Sequence, residues 1–405
     1  MSVGGFGNGS GEAASDRVDS FAYTPARRLR PNAKVLPEHA RGHNRALVLQ
    51  TLFASGAMSR ADIARATGLT RVSISDLVAS LIADNLIVEV GLRETSRPGK
   101  PATLIDINRD EFRIVGLDLS DTELFRGAVL TLDGDILTLL EVPLDGSTGE
   151  AAIGKAVALA AELLAEATVE VLGIGVGSPG VVDMTGTVRS APNLGWTDVD
   201  LQGAIERVAH VPVIVANDAN AAVLAEYSFG GADGDLMLVS VGNGVGAGLL
   251  VGGHPLFGSR FAAGEIGHVV VGTDGGPLCA CGKRGCLEAW LAVPHLRELL
   301  DAVDATPSSP AEDDARRAEI LRAAGERLGV SLAAIVGALN LSEIVVSGPE
   351  ELLAGVLLDT AIDTVRARTM TEFHSGVQIR MSEQGSDIVL RGTAVMVLSG
   401  LLGVS

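Results

Sequence analysis

The sequence predicts an α/β protein in which an N-terminal winged helix-turn-helix precedes two α/β lobes separated by a cleft. Three observations predict it. Residues 58–83 run as a short helix, a glycine turn and a longer helix, and two alternating strands follow. From about residue 110 a strand meander begins, punctuated by Gly-rich turns. Further on, a buried strand runs directly into a helix through Asn217-Asp218.

A chain of 405 residues has room for more than one domain. It is 47% hydrophobic with 50 glycines and only 3% aromatics, which suits an α/β core of Val, Leu, Ala and Ile. No charge-free apolar run of about twenty residues occurs, so no membrane span is expected. The start, MSVGGFGNGSGEAASD, has neither a basic n-region nor an apolar h-region, so a cytoplasmic location is expected, without a disulfide framework. The net charge of −19 argues against nucleic acid only until it is mapped. Residues 1–100 hold 13 Lys/Arg against 9 Asp/Glu, whereas the rest holds 18 against 41. The acidity belongs to the C-terminal part, and the N-terminal part is free to approach DNA.

Residues 1–36, rich in Gly, Ser, Ala and Arg, read as a disordered arm ending in Arg27, Arg28, Arg30 and Lys34. A winged helix-turn-helix is expected over 37–108. Its first helix carries Leu47, Leu49, Leu52 and Phe53 and ends at Gly56. Ser59 caps a short helix, Gly68 makes the turn, and Thr70 caps a second helix with Ile74, Leu77, Val78, Leu81 and Ile82 on one face. "LIVEVG" and "ATLIDI" are the wing strands, and Arg93, Arg97 and Lys100 surround its tip, a shape for a minor groove or phosphates. Thr70, Arg71, Ser73 and Ser75 open the second helix, where side chains meet DNA. Asp76 nearby repels phosphate unless it accepts from a cytosine amino group or pairs with Arg71.

Residues 109–405 are expected to form the lobes. "RIVGLDL", "LFRGAVLTL" and "DILTLLEVPL" make the meander, followed by a helix over about 150–168 and the strand "VLGIGVG". "DLMLVSVGNGVGAGLLVGG" is a hairpin; a long helix around 311–339, the strand "EIVVSG" and a final helix near 390–402 complete the chain. At a strand end Asp218 can take a proton from a hydroxyl, and Asn217 can donate to or accept from hydroxyls. The alternative is that both merely cap the next helix.

The three cysteines fall within eight positions. His268, Cys279, Cys281 and Cys286 offer one imidazole and three thiolates, the composition of a closed tetrahedral Zn2+ site, structural because no ligand position is left for water. Reactive or simply buried thiols are the alternative. Glu265 and Glu288 flank this loop, 265–288, and with Asn217 and Asp218 suit a ligand bearing several hydroxyls.

From about residue 41 onward the chain resembles the ROK family of bacterial sugar kinases and sugar-responsive regulators. The matching stretches are "EIGH" at 265–268, "CACGKRGCLE" at 279–288, "ANDAN" at 216–220, "SPGVVD" at 178–183 and "APNLGW" at 191–196. The resemblance implies an actin-like, hexokinase-type pair of lobes. It places sugar contacts on Gly180, Asn193, Asn217, Asp218, Glu265, His268 and Glu288, with His268 giving one ring nitrogen to zinc and turning the other to sugar. Asp218 would be the general base if the chain were a kinase. The family's phosphate-binding turn, Asp-x-Gly-Gly-Thr-Lys, is here Asp118-Leu-Ser-Asp-Thr-Glu123, without its glycines and with added acids. The hairpin Gly-Thr-Gly is Gly242-Asn243-Gly244, and the adenosine-side glycine turn is Ser347-Gly348-Pro349.

The expectation is a sugar-responsive regulator, a repressor of carbohydrate-utilisation genes, with a degenerate ATP site and no catalytic residue in use. Its partners would be an operator duplex, a sugar and further copies of itself in a homodimer or homotetramer, with no membrane. One rival is an ATP-dependent sugar kinase with a DNA-binding appendage. Another is a platform for a partner protein.

Overall fold

The computed structural model describes residues 37–93, 101–272, 275–374 and 376–404. The arm expected over 1–36, and with it Arg27, Arg28, Arg30 and Lys34, lies outside the described residues, as do Arg97 and Lys100 of the wing tip. Two compact units divide between Arg41 and Gly42. The rest of the winged helix and both lobes belong to the second, Gly42–Ser405; of the described residues, only the start of the first helix, 37–41, belongs to the other.

Helix α1 (Pro37–Ser55) ends where Gly56 takes the left-handed conformation at φ 70°. After strand β1 (Met58–Ser59), helix α2 (Arg60–Thr67) opens on a reciprocal cap between Ser59 and Asp62 and stops at left-handed Gly68, φ 72°. Helix α3 (Arg71–Ala83) starts from Thr70, whose hydroxyl accepts from the Ser73 amide at 3.1 Å. Its buried face is Ile74, Leu77, Val78 and Leu81, so the helical period read from the sequence is the one that folds. Strands β2 (Ile87–Leu92) and β3 (Thr103–Ile107) pair antiparallel as the wing, with β1 on the outer side of β3. The wing is clipped to α2 by ion pairs, Arg93 with Asp62 and Arg60 with Glu89. The Ser59 hydrogen bond, helped by Arg93, holds the Asp62 carboxyl down to about 2.

The first lobe is built on β4 (Phe112–Asp118), β5 (Leu124–Leu130), β6 (Ile136–Pro143), helix α4 (Gly149–Glu166) and β7 (Glu170–Ser178). The small strands β8 (Val181–Val182), β9 (Thr187–Ala191) and β10 (Trp196–Asp200) form a separate sheet; helix α5 (Leu201–Ala209) and β11 (Val213–Asn217) follow. Helix α6 (Asp218–Phe229) leads to the second lobe: β12 (Leu236–Val241), β13 (Val245–Val251), β14 (His254–Pro255), helices α7 (Glu288–Leu291), α8 (Val293–Ala305) and α9 (Pro310–Leu339), then β15 (Glu343–Ser347). Helices α10 (Glu350–Leu353), α11 (Val356–Arg368) and α12 (Thr371–His374), strand β16 (Gln378–Met381) and helix α13 (Ile388–Val397) end the chain. The first five-stranded sheet runs β6-β5-β4-β7-β11 and the second β14-β13-β12-β15-β16. In each, three strands pair antiparallel and two more add in parallel on the far side of the first. Two lobes with one topology make the expected actin-like, hexokinase-type pair.

Helices α6 and α13 join the lobes. α6 packs on the second sheet through β12 and β13, α13 packs on the first through β4 and β7, and the two helices pack on each other. Glycines make the approach close: a Cβ on Gly392 would overlap the Ala221 carbonyl oxygen, and one on Gly175 would overlap Thr393. Gly385–Leu402 is apolar and long enough to cross a membrane by composition, but its helix is core, with Leu390, Ala394 and Val397 fully buried. Beyond it, Leu398 and Val404 share one buried cluster with Val48, Leu49 and Leu52 of α1 and Ile114 of β4. No gap in packing therefore marks the expected boundary at 108/109. The substitution Gly392→Ala should destabilise the chain by roughly 1–3 kcal/mol through overpacking, read as a lower melting temperature.

Candidate functional site

At the carboxyl end of β11, Asn217 caps α6: its Oδ1 accepts from the Asn220 amide at 3.1 Å. Its Nδ2 donates to the Gly180 carbonyl at 2.9 Å and to Asp218 Oδ1 at 2.8 Å. The capping reading of this stretch is what the hydrogen bonds show. The cap exists, and through it Asn217 fixes the loop at Gly180 and the rotamer of Asp218; both its N–H groups are engaged. Gly180 is a required glycine, because φ is 77° and a Cβ there would overlap the Ser190 carbonyl. Asp183 finishes that loop, accepting from the amides of Thr185 and Thr187. Asn193 is exposed on a single turn, Pro192–Leu194, whose Leu194 is buried.

Asp218 Oδ1 also accepts from the Ala219 amide at 2.9 Å. Its carboxyl is pushed up to about 7, by burial first and then by Asp118 and Glu265. Asp118, at the end of β4, is itself buried and raised by desolvation, although Ser120 donates to it through both its amide and its hydroxyl. Glu265, from the second lobe, is raised by burial as well. Carboxyls from both lobes thus act on Asp218, and all three are raised by burial. Asp118, read in the sequence only as the start of a phosphate turn, was the member missed. Its place beside Asp218 follows from the parallel order β4-β7-β11, which a linear pattern does not display.

The loop 265–288 brings its four expected ligands together. The Nδ1 of His268 and the three Sγ atoms lie within 4.8 Å of one another. Cys279 Sγ is 3.6 Å from His268 Nδ1, and Cys281 Sγ is 3.6 Å from Cys286 Sγ. Tetrahedral zinc with Zn–S near ~2.3 Å and Zn–N near ~2.05 Å requires ligand separations of roughly 3.6–3.8 Å, so this set fits a cation. Left-handed Gly282 and Gly285 fold the cysteines inward, and the bridges Val270–Cys286 and Leu278–Arg284 hold the hairpin. Glu288 is more engaged than the sequence implies. One oxygen accepts from the Val245 amide at 3.2 Å and the other lies 3.6 Å from Cys279 Sγ, tying the loop to the β12–β13 hairpin.

The two turns that would flank phosphates occupy equivalent places in the two lobes. Here Asn243 Nδ2 donates to Thr122 Oγ1 at 3.1 Å, bridging one lobe to the other. Asp121 accepts from the Glu123 amide at 2.7 Å, which shapes its turn around carboxylates. Pro349 precedes the four-residue α10 as its N-cap residue, and the first turn of α10 carries Glu350 and Glu351.

On the winged helix, the Thr70 and Ser73 hydroxyls are 2.9 Å apart within the cap, and Ser75 Oγ donates to the Arg71 carbonyl at 2.9 Å. Arg71 and Asp76 are exposed and, among the described residues, form no ion pair with each other.

This combination of winged helix, paired lobes and cysteine loop has counterparts among known proteins. The ROK family model matches residues 114–399. The chain belongs to the ROK family. The xylose repressor of Caldicellulosiruptor bescii is 27% identical over 390 residues, covering 89% of this chain and 96% of that protein. The glucokinase of Halalkalibacterium halodurans is 32% identical over 302 residues, covering 67% of this chain and 91% of the enzyme. Among solved structures, a ROK family transcriptional regulator described as a homologue of the Escherichia coli Mlc protein superposes with a TM-score of 0.79. It covers 90% of this chain and 98% of its own at 24% identity, a likeness of fold.

The raised Asp218 sets a pH dependence. The folded state holds its proton to a higher pH than the unfolded chain, so this group costs stability as pH rises from about 4 to about 7 and by a constant amount above. Asp218→Asn should therefore melt higher than wild type at about pH 8, by an equivalent of ~1–3 kcal/mol, with the difference closing by about pH 4. Equal melting at both pH values would refute the burial account.

Proposed function

We infer that this protein is a sugar-responsive, DNA-binding transcriptional repressor of carbohydrate-utilisation genes, acting in the cytoplasm as a homodimer or homotetramer. The observation that carries this reading is the extent of the likeness. The xylose repressor aligns through the winged helix as well as the lobes, whereas the glucokinase aligns over a shorter part of the chain. The winged helix would dock α3 in the major groove, with Arg71 and the hydroxyls of Thr70, Ser73 and Ser75 at its leading end and Arg97 and Lys100 on the wing tip. Of those hydroxyls, all three spend a bond on the helix itself, so Arg71 is the stronger contact.

The sugar would lie between Asp218, Glu265 and His268, near Gly180 and Asn193, with Asn217 and Glu288 holding the pocket in shape. Zn2+ held by His268, Cys279, Cys281 and Cys286 would be structural. A cation on Nδ1 leaves Nε2 carrying the proton, a fixed donor toward a hydroxyl. Closure of the lobes on a sugar would change the placement of two winged helices, and operator half-sites tolerate little change in spacing.

A second reading, an ATP-dependent sugar kinase, is favoured by one feature: a general base poised near neutral pH at Asp218. The Thr122–Asn243 bridge and the carboxylates of Asp121 and Glu123 stand against it, because a nucleotide's phosphates would meet negative charge.

A thermal-melting screen with a sugar panel headed by xylose, each with and without Mg-ATP, separates the two. The repressor reading expects one sugar to raise the melting temperature with no further effect of Mg-ATP. A shift from Mg-ATP alone would reinstate the kinase. Asp218→Ala or Glu265→Ala should abolish the sugar shift while leaving DNA binding intact. Chelation, or Cys281→Ala, should release about one zinc per chain and lower the melting temperature; a protein that purifies and folds without metal would overturn the zinc assignment.

A further inference from the structure

The outer face of α3 carries a side chain that the DNA-binding reading has not used. Val72 is 73% exposed, the most exposed large apolar side chain among the described residues. Isolated exposed apolar residues are ordinary, so exposure alone decides nothing. Its position does. Val72 is the second residue of α3, and the exposed face continues through Ser75, Asp76 and Ala79, opposite the buried Ile74, Leu77, Val78 and Leu81. Around it the hydroxyls of Thr70, Ser73 and Ser75 each already spend a bond on the helix. Thr70 and Ser73 satisfy each other within the cap, and Ser75 donates to the Arg71 carbonyl. Beside these half-engaged hydroxyls the leading end of the helix offers outward the Arg71 guanidinium, the Val72 isopropyl group and the Asp76 carboxylate.

An isopropyl group makes no hydrogen bond, and the major-groove edges of the bases present one apolar group for it to meet, the 5-methyl of thymine. Asp76, one turn further along the same face, disfavours a phosphate there and so keeps the contact on the bases. We propose that Val72 reads a thymine methyl in each operator half-site and is a specificity-determining residue. The proposal rests on the DNA-binding reading, and its test separates the two.

Duplexes bound by the full-length protein are selected from a randomised pool. In the recovered motif each dT is then replaced, one at a time, by dU, which removes only the methyl. Wild type and Val72→Ala are titrated against every duplex, and their melting temperatures, expected to be equal, exclude misfolding. One position per half-site should lose about four-fold in affinity on going to dU, the weight of one buried methyl-sized group. Val72→Ala should bind the dT and dU duplexes equally. Tolerance of dU at every position, a dU penalty that survives in Val72→Ala, or a motif without thymine overturns the proposal alone. No enriched sequence at all overturns the DNA-binding reading with it.

Discussion

Everything in this molecule is arranged around the contact between helices α6 and α13. The two helices approach so closely that a methyl group on Gly392 would strike the Ala221 carbonyl. α6 packs on the second sheet and α13 on the first, and each also reaches the other lobe, so the two sheets meet through this crossing. The first residue of α6 is Asp218, and the residues beyond α13, Leu398 and Val404, bury themselves against α1 of the winged helix. A single packed joint therefore touches the candidate effector site at one end and the DNA-binding unit at the other. Cores of this density move between discrete arrangements rather than deforming smoothly, which is what a ligand-controlled repressor requires of its middle.

The cysteine loop and the β12–β13 turn act on the same region from the second lobe. Glu288 connects the cysteine hairpin to Val245 at the β12–β13 turn, and Asn243 of that turn reaches Thr122 across the cleft. In a kinase those turns would have to open around phosphates. Here Asn243 of one turn bonds Thr122 of the other, and Asp121 and Glu123 stand beside them. On the other side of the cleft Asp218 is raised by its burial and by Asp118 and Glu265, and those two are raised by their own burial, a pattern that gathers at functional sites.

Much of this was legible in the sequence where the physics is local. Caps at Ser59 and Thr70, left-handed glycines at Gly56 and Gly68, and the helical period of α3 depend on residues three or four apart, and all fold as read. The cluster of His268, Cys279, Cys281 and Cys286 was legible because its three cysteines lie in one short loop. The long-range facts were not: that Asp118 lies beside Asp218, that Thr122 meets Asn243, and that the winged helix shares its core with the chain's last residues. Each depends on strand order or on helix crossing, which spacing along the chain does not encode. The cap hydroxyls show a subtler limit, since residues that look free to read bases are already bound to their own helix.

In the proposed repressor, sugar and DNA are linked through one molecule. Linkage is reciprocal, so the most direct measurement is the sugar dissociation constant of the free protein and of the protein bound to its selected duplex. DNA should weaken sugar binding by the same factor by which sugar weakens DNA binding, on the order of 5- to 150-fold. Equal sugar affinities in the two states, with both ligands bound tightly, would contradict the linkage.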